Sequence, residues 1–87
     1  MLIDFIKITN EVLSKEIPNL LITDVNYRSS EGTNIINVHF YDIDFKIKGF
    51  QFAYYTVPNP LKKVDNDLTI EFTNYLENYV KPILKNE

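Results

Sequence analysis

The residues with the most chemical potential lie between positions 24 and 46. Asp42, Asp44 and Lys46 occupy alternate positions, and alternate side chains of a strand project from one face. Two carboxylates set that way could hold Mg²⁺ while the lysine positions or activates a water, with Asp24 on an earlier strand beside them. The same residues on an exposed strand also make a solvated face that discourages edge pairing. His39 is the single histidine, so a general base acting near neutral pH would be this imidazole or a perturbed carboxylate. Its alternate-position neighbours Asn37 and Tyr41 are polar, and no Ser-centred elbow accompanies it. Zinc needs three or four ligands, which one histidine without cysteine does not supply. The lack of Cys also removes disulfides, thiol nucleophiles and iron–sulfur clusters. Gly32 and Gly49, the only glycines, form no phosphate-cradling loop. No metal or cofactor is expected.

The flanking pattern predicts the elements that would position these groups. Leu2, Phe5, Ile6, Val12, Leu13 and Ile17 recur at helical spacing, which predicts an amphipathic helix from Leu2 to Ile17, stopped by Pro18. From Leu20 to Arg28 the period changes to two, a half-buried strand, and Ser29 to Thr33 read as a hairpin connection. Asn34 to Tyr41 resumes the alternation, with Ile36, Val38 and Phe40 on one face and Asn37, His39 and Tyr41 on the other. Apolar parity then switches twice, through Ile43, Phe45 and Ile47 and back to Phe50, Phe52 and Tyr54. Turns at Tyr41–Asp42 and Lys48–Gly49 would keep all these sets on one face, giving a four-stranded antiparallel meander; Gly49 as a bulge in a longer strand is the alternative. Pro58, Asn59 and Pro60 end the sheet, and Leu61 to Asn66 form a polar crossover. Asp65, Asn66 or Asp67 would cap a last helix whose apolar stripe is Leu68, Phe72, Tyr75, Leu76, Tyr79, Val80, Ile83 and Leu84, kinked or ended at Pro82.

The sequence therefore predicts one α+β domain over residues 1–87: an N-terminal helix, a three- to four-stranded antiparallel meander and a C-terminal helix, with both helices on one face of the sheet. Its 87 residues and 45% hydrophobic content suit one small core. The other face is expected to show Asp24, Asn26, Arg28, Asn37, His39, Tyr41, Lys46, Lys48 and Tyr55. A net charge of −3 and a pI near 5.0 argue against coating nucleic acid or an anionic membrane. No basic leader and no membrane-spanning apolar run is visible, and a cysteine-free chain suits the cytosol.

Asp44-Phe45-Lys46, with Asp24 on an earlier strand and Glu11 on a leading helix, resembles a reduced PD-(D/E)XK nuclease pattern, which would imply divalent-metal-dependent cleavage. No Pro precedes Asp24, and no strand follows the last helix. The helix–strands–helix order is similar in outline to the double-stranded-RNA-binding domain, but Asp67 and Glu71 stand where that family carries a basic cluster. Phe40, Tyr41, Phe45, Phe50, Phe52, Tyr54 and Tyr55 are seven of the twelve aromatic residues; stacking on single-stranded bases would need a basic groove beside them, which Asp24, Asp42 and Asp44 interrupt. Tyr54 and Tyr55 cannot both be buried in a strand, and exposed tyrosines favour protein contacts. The leading expectation is a cytosolic, non-enzymatic protein-binding module acting through Arg28, His39, Tyr41, Asp42, Asp44, Lys46, Tyr54 and Tyr55, with a homodimer as one form of contact. Ile, Asn, Lys, Tyr and Phe dominate while Arg occurs once, a bias expected from an AT-rich genome such as that of a low-GC bacterium or its phage. In size, acidity and helix–sheet–helix outline the chain resembles small phage-encoded inhibitors, anti-CRISPR proteins included.

Overall fold

Asp4 opens the first helix because its carboxylate accepts a hydrogen bond from the Lys7 backbone N–H at 2.9 Å, satisfying a donor that a helix N-terminus leaves open. The computed structural model describes residues 3–17, 20–41, 44–55 and 65–86. Helix α1 spans Phe5–Thr9 and widens into a π-helical turn, π1, over Asn10–Ser14. Buried Thr9 sits at the junction, its hydroxyl donating to the Phe5 carbonyl at 2.7 Å, a back-bond that favours bending of the helix. The Ile17 N–H closes on the Leu13 carbonyl at 3.1 Å, so helical hydrogen bonding ends where the sequence predicts it; Leu2 and Pro18 lie outside the described residues.

Three strands follow, β1 (Leu21–Ser30), β2 (Thr33–Tyr41) and β3 (Ile47–Tyr55), paired antiparallel in the order β1-β2-β3. Glu31 and Gly32 alone join β1 to β2, with φ of 47° and 83°, the positive values a two-residue hairpin turn of matching twist requires. The predicted five-residue connection is therefore mostly strand. On β2 the side chains of Asn34, Ile36, Val38 and Phe40 are buried, and the residues opposite them include Val25, Tyr27, Phe50 and Phe52.

The described sheet has three strands where the sequence favoured four. Lys48 lies opposite Phe40 and Gly49 opposite His39 in a regular ladder, so Gly49 is neither turn nor bulge. The four-strand reading assumed that Phe45 and Ile47 share the covered face, yet they are 84% and 66% exposed. The change of parity turns Ile47 to the uncovered side instead. Glycine at position 49 has another cause: a Cβ there would stand 2.9 Å from the Val38 carbonyl oxygen and 3.0 Å from His39 Cδ2. Asp42, Ile43 and residues 56–64 lie outside the described residues; these include residues 61–64 of the predicted crossover, whose last two residues, Asp65 and Asn66, are already helical.

The second helical segment runs as α2 (Asp65–Tyr75), a π-helical turn π2 (Leu76–Val80) and α3 (Lys81–Lys85). The helix already includes Asp65, so Asn66 and Asp67 stand in its first turn rather than capping it, where Asp67 still complements the helix dipole. Leu68, Phe72, Leu76 and Val80, four residues apart, are buried, whereas Tyr79 and Ile83 from the predicted stripe stay half exposed or more. The helical path passes Pro82 and continues to Lys85. A π-helical turn just before the proline suits its missing N–H and the bulk of its ring.

Both helical segments cover the same face of the sheet, α1 against β1 and α2 against β3, with π1 against π2. At the centre, Phe5 meets Tyr27 at 5.1 Å and the edge of Phe72 at 5.5 Å, and Phe52 lies 5.6 Å from Phe72. Lys81 fastens the two helical segments, its ammonium 2.8 Å from Glu16 and 2.7 Å from Glu77. The hydrogen bond to Lys81 holds the Glu16 carboxyl below its usual range, and the bonds to Glu16 and Glu77 raise the Lys81 ammonium. No described helix is long and apolar enough to cross a membrane.

Candidate functional site

The opposite face of the sheet is left uncovered by the described helices, and strand register arranges its residues in rows across the three strands. Neighbouring positions in a row are about 5 Å apart, close enough for one partner to touch all of them. The first row is Leu21, Tyr41 and Ile47; the second Asp24, His39 and Gly49; the third Asn26, Asn37 and Gln51. Arg28, Ile35 and Ala53 follow, and then Ser30, Thr33 and Tyr55. An apolar row at one end thus adjoins a hydrogen-bonding band, with a cation and an exposed tyrosine beyond it.

Local chemistry fixes the middle of this face. A register irregularity between Ile22 and Asp24 turns Ile22 toward the helices and Leu21 outward, 61% exposed. Thr23, within the irregularity, donates its hydroxyl to the His39 carbonyl at 3.1 Å. The Asp24 carboxylate accepts a hydrogen bond from the Asn26 side-chain amide and stands 3.7 Å from His39 Nδ1. On its other side the imidazole approaches the space above Gly49, which a side chain would fill. His39 on β2 thus lies between Asp24 of β1 and the glycine of β3.

The sequence-predicted site residues divide. Arg28, His39, Tyr41 and Tyr55 share the uncovered face, Tyr55 at 73% exposure. Tyr54 belongs to the helix-covered side, opposite buried Asn34, whose side-chain amide donates to the Tyr54 carbonyl at 3.2 Å. Asp44 and Lys46 lie in the connection between β2 and β3 and are exposed, so alternate strand geometry does not align them; Asp42 is outside the described residues. Lys48, expected on the uncovered face, sits opposite Phe40 on the helix side.

The structure describes the nuclease-like pattern only in part, because Asp42 lies outside the described residues. Glu11 belongs to π1 in the helical layer, whereas Asp24 belongs to the uncovered face, so the sheet separates them. Among the described residues no group of three His, Asp or Glu side chains could hold a metal ion.

Three exposed apolar residues were missed from the sequence: Leu21, Phe45 and Ile47. The signal for Ile47 was its opposite parity to Phe50 and Phe52 within one strand. Phe45 combines 84% exposure with a φ of 60°, a left-handed conformation costly for a bulky residue. Phe45 is a large apolar side chain exposed in the β2–β3 connection, two residues before Ile47, and core packing does not explain it.

Comparison with protein-family models, characterised proteins and solved structures finds no match to this chain.

Proposed function

We propose that the chain is a non-enzymatic protein-binding module that works by occupancy, covering a partner's surface with its uncovered sheet face. The observation that carries this reading is the Leu21–Tyr41–Ile47 row set directly beside the Asp24–His39–Asn26 band. An apolar strip next to hydrogen-bonding groups is the composition that protein interfaces combine, with apolar and aromatic anchors and polar groups that fix orientation. His39, Tyr41, Arg28 and Tyr55 are the contact residues of this reading, joined by Leu21 and Ile47. Asp44 and Lys46 extend it into the β2–β3 connection. The acidic balance supports a protein partner over a nucleic acid, and the cysteine-free sequence supports a cytosolic setting. A small inhibitor that blocks a larger protein by steric cover fits the same surface.

The test is affinity capture from a lysate of the source organism with three baits: the native chain, a Tyr41→Ala/Ile47→Ser/Tyr55→Ala variant, and Ile70→Ala on the exposed side of α2. The native chain and the Ile70→Ala control should retain the same partner, and the face variant should lose it. Equal recovery by all three would remove the uncovered face from the interface.

A further inference from the structure

We infer that β3 is the contact strand of a symmetric dimer, in which two copies of this chain pair antiparallel along Ile47–Tyr55 with Gln51 on the two-fold axis. This goes beyond the proposed partner-binding face and does not depend on it.

The two edges of the sheet differ in how they are defended. The β1 edge carries a register irregularity and the charges of Asp24 and Arg28, devices that oppose pairing with another strand. β3 pairs with β2 alone among the described strands, is regular over nine residues, and contains no proline and a single charge, Lys48. A long regular edge of that kind is a template for another strand. Its helix-side residues Phe50, Phe52 and Tyr54 each retain some exposure, while Ile36 and Val38 on β2 have none, so the helical layer leaves the outer margin of β3 accessible.

The occupant follows from the strand's own sequence, Ile-Lys-Gly-Phe-Gln-Phe-Ala-Tyr-Tyr, which complements itself when reversed about its centre. Antiparallel pairing about Gln51 sets Phe50 against Phe52 and Ile47 against Tyr55 of the second copy. It also sets Gly49 against Ala53 and Lys48 against Tyr54. Apolar meets apolar at Phe50–Phe52 and Ile47–Tyr55, small meets small at Gly49–Ala53, Gln51 meets its own copy, and Lys48 faces Tyr54 rather than its own image. A two-fold axis requires this reciprocity.

The fold also supplies a receptor for the pairing. Between β3 and the last helical turns lies an open recess of about 170 Å³, lined by Phe40, Lys48, Phe50, Tyr75, Tyr79 and Ile83 among others. The Tyr75 and Tyr79 rings stack there at 5.2 Å. In the paired register, Tyr54 of the second copy stands directly opposite Lys48 and diagonal to Phe50, at the mouth of this recess. Each copy thus offers a tyrosine to the other's recess. The axis stands perpendicular to the sheet, so the two uncovered faces join into one continuous surface on the same side.

The experiment is sedimentation equilibrium across a concentration series for the native chain, Gln51→Glu, Gln51→Lys and the two variants mixed. Gln51 is exposed, and circular dichroism checks that each variant folds. The native chain should approach twice its 10.3 kDa mass. Each charged variant places like charges face to face on the axis and should weaken self-association by about tenfold or more, while the mixture should recover it. As an independent readout, Gln51→Cys, the only cysteine in that chain, should form a disulfide-linked dimer on mild oxidation, and Arg28→Cys should not. A native chain that stays monomeric throughout, charged variants that associate as tightly as the native chain, or equal cross-linking at positions 28 and 51 would overturn the inference.

Discussion

Consecutive residues of β2 live in two different environments. Asn34, Ile36, Val38 and Phe40 are sealed beneath the helices, while Ile35, Asn37, His39 and Tyr41 between them keep contact with solvent. The strand's twofold period places one set in the core and leaves the other facing solvent, where the proposed recognition would occur. Substitution on the two faces should therefore have effects of different size and kind.

The largest contrast is between Phe72 and His39. Phe72 is fully buried between Phe5 and Phe52, so Phe72→Ala should destabilise the fold by about 3–5 kcal/mol in urea unfolding. His39→Ala on the uncovered face should change stability by no more than about 0.5 kcal/mol. Similar losses from both would erase the distinction between the faces.

The covered face also contains a polar device, and it sharpens the comparison. Asn34 is 3% exposed, accepting from the Tyr27 hydroxyl at 2.7 Å and donating to the Tyr54 carbonyl. Asn34→Ala removes both hydrogen bonds from a buried position and should cost about 1–3 kcal/mol in the same assay. Asn37→Ala, one pleat away on the other face, should cost little. A cost at Asn37 matching that at Asn34 would show that the uncovered face is also structural.

The smallest effect concerns the fastening of the helical layer. The folded pKa of Glu16 lies below its unfolded value, so its stabilising contribution is complete above that unfolded value and is lost as pH falls through the depressed folded pKa. The folded pKa of Lys81 is raised, so its contribution is complete below the unfolded lysine pKa and is lost as pH rises through the folded one. Lys81→Met should flatten both limbs of a stability–pH profile, modestly because these are surface ion pairs. An unchanged acid limb would mean that Glu16 is not held by Lys81.

Much of this arrangement was legible in the sequence where period and punctuation agree. Alternation through Ile36, Val38 and Phe40 identified β2 and its covered side, and the fourfold spacing of Leu68, Phe72, Leu76 and Val80 identified the buried stripe of the last helix. The place of Arg28, His39, Tyr41 and Tyr55 on the uncovered face followed from parity alone. The reading failed where hydrophobicity was equated with burial: Phe45 and Ile47 are apolar and exposed, and grouping them with the core demanded a turn at Lys48–Gly49. Gly49 serves a cross-strand neighbour, His39, and such a requirement has no local sequence signature. The passage of the helix beyond Pro82 depended on a π-helical turn, which helical periodicity does not announce.

The central claim is that one side of the sheet is sealed and the other accessible, and methyl NMR with a soluble paramagnetic agent tests it most directly. Ile36 and Val38 should be nearly unaffected by the agent, while the methyls of Leu21, Ile47 and Ala53 should broaden strongly as it is added. Comparable protection of Leu21, Ile47 and Ala53 would contradict the account, because the face assigned to recognition would then be closed.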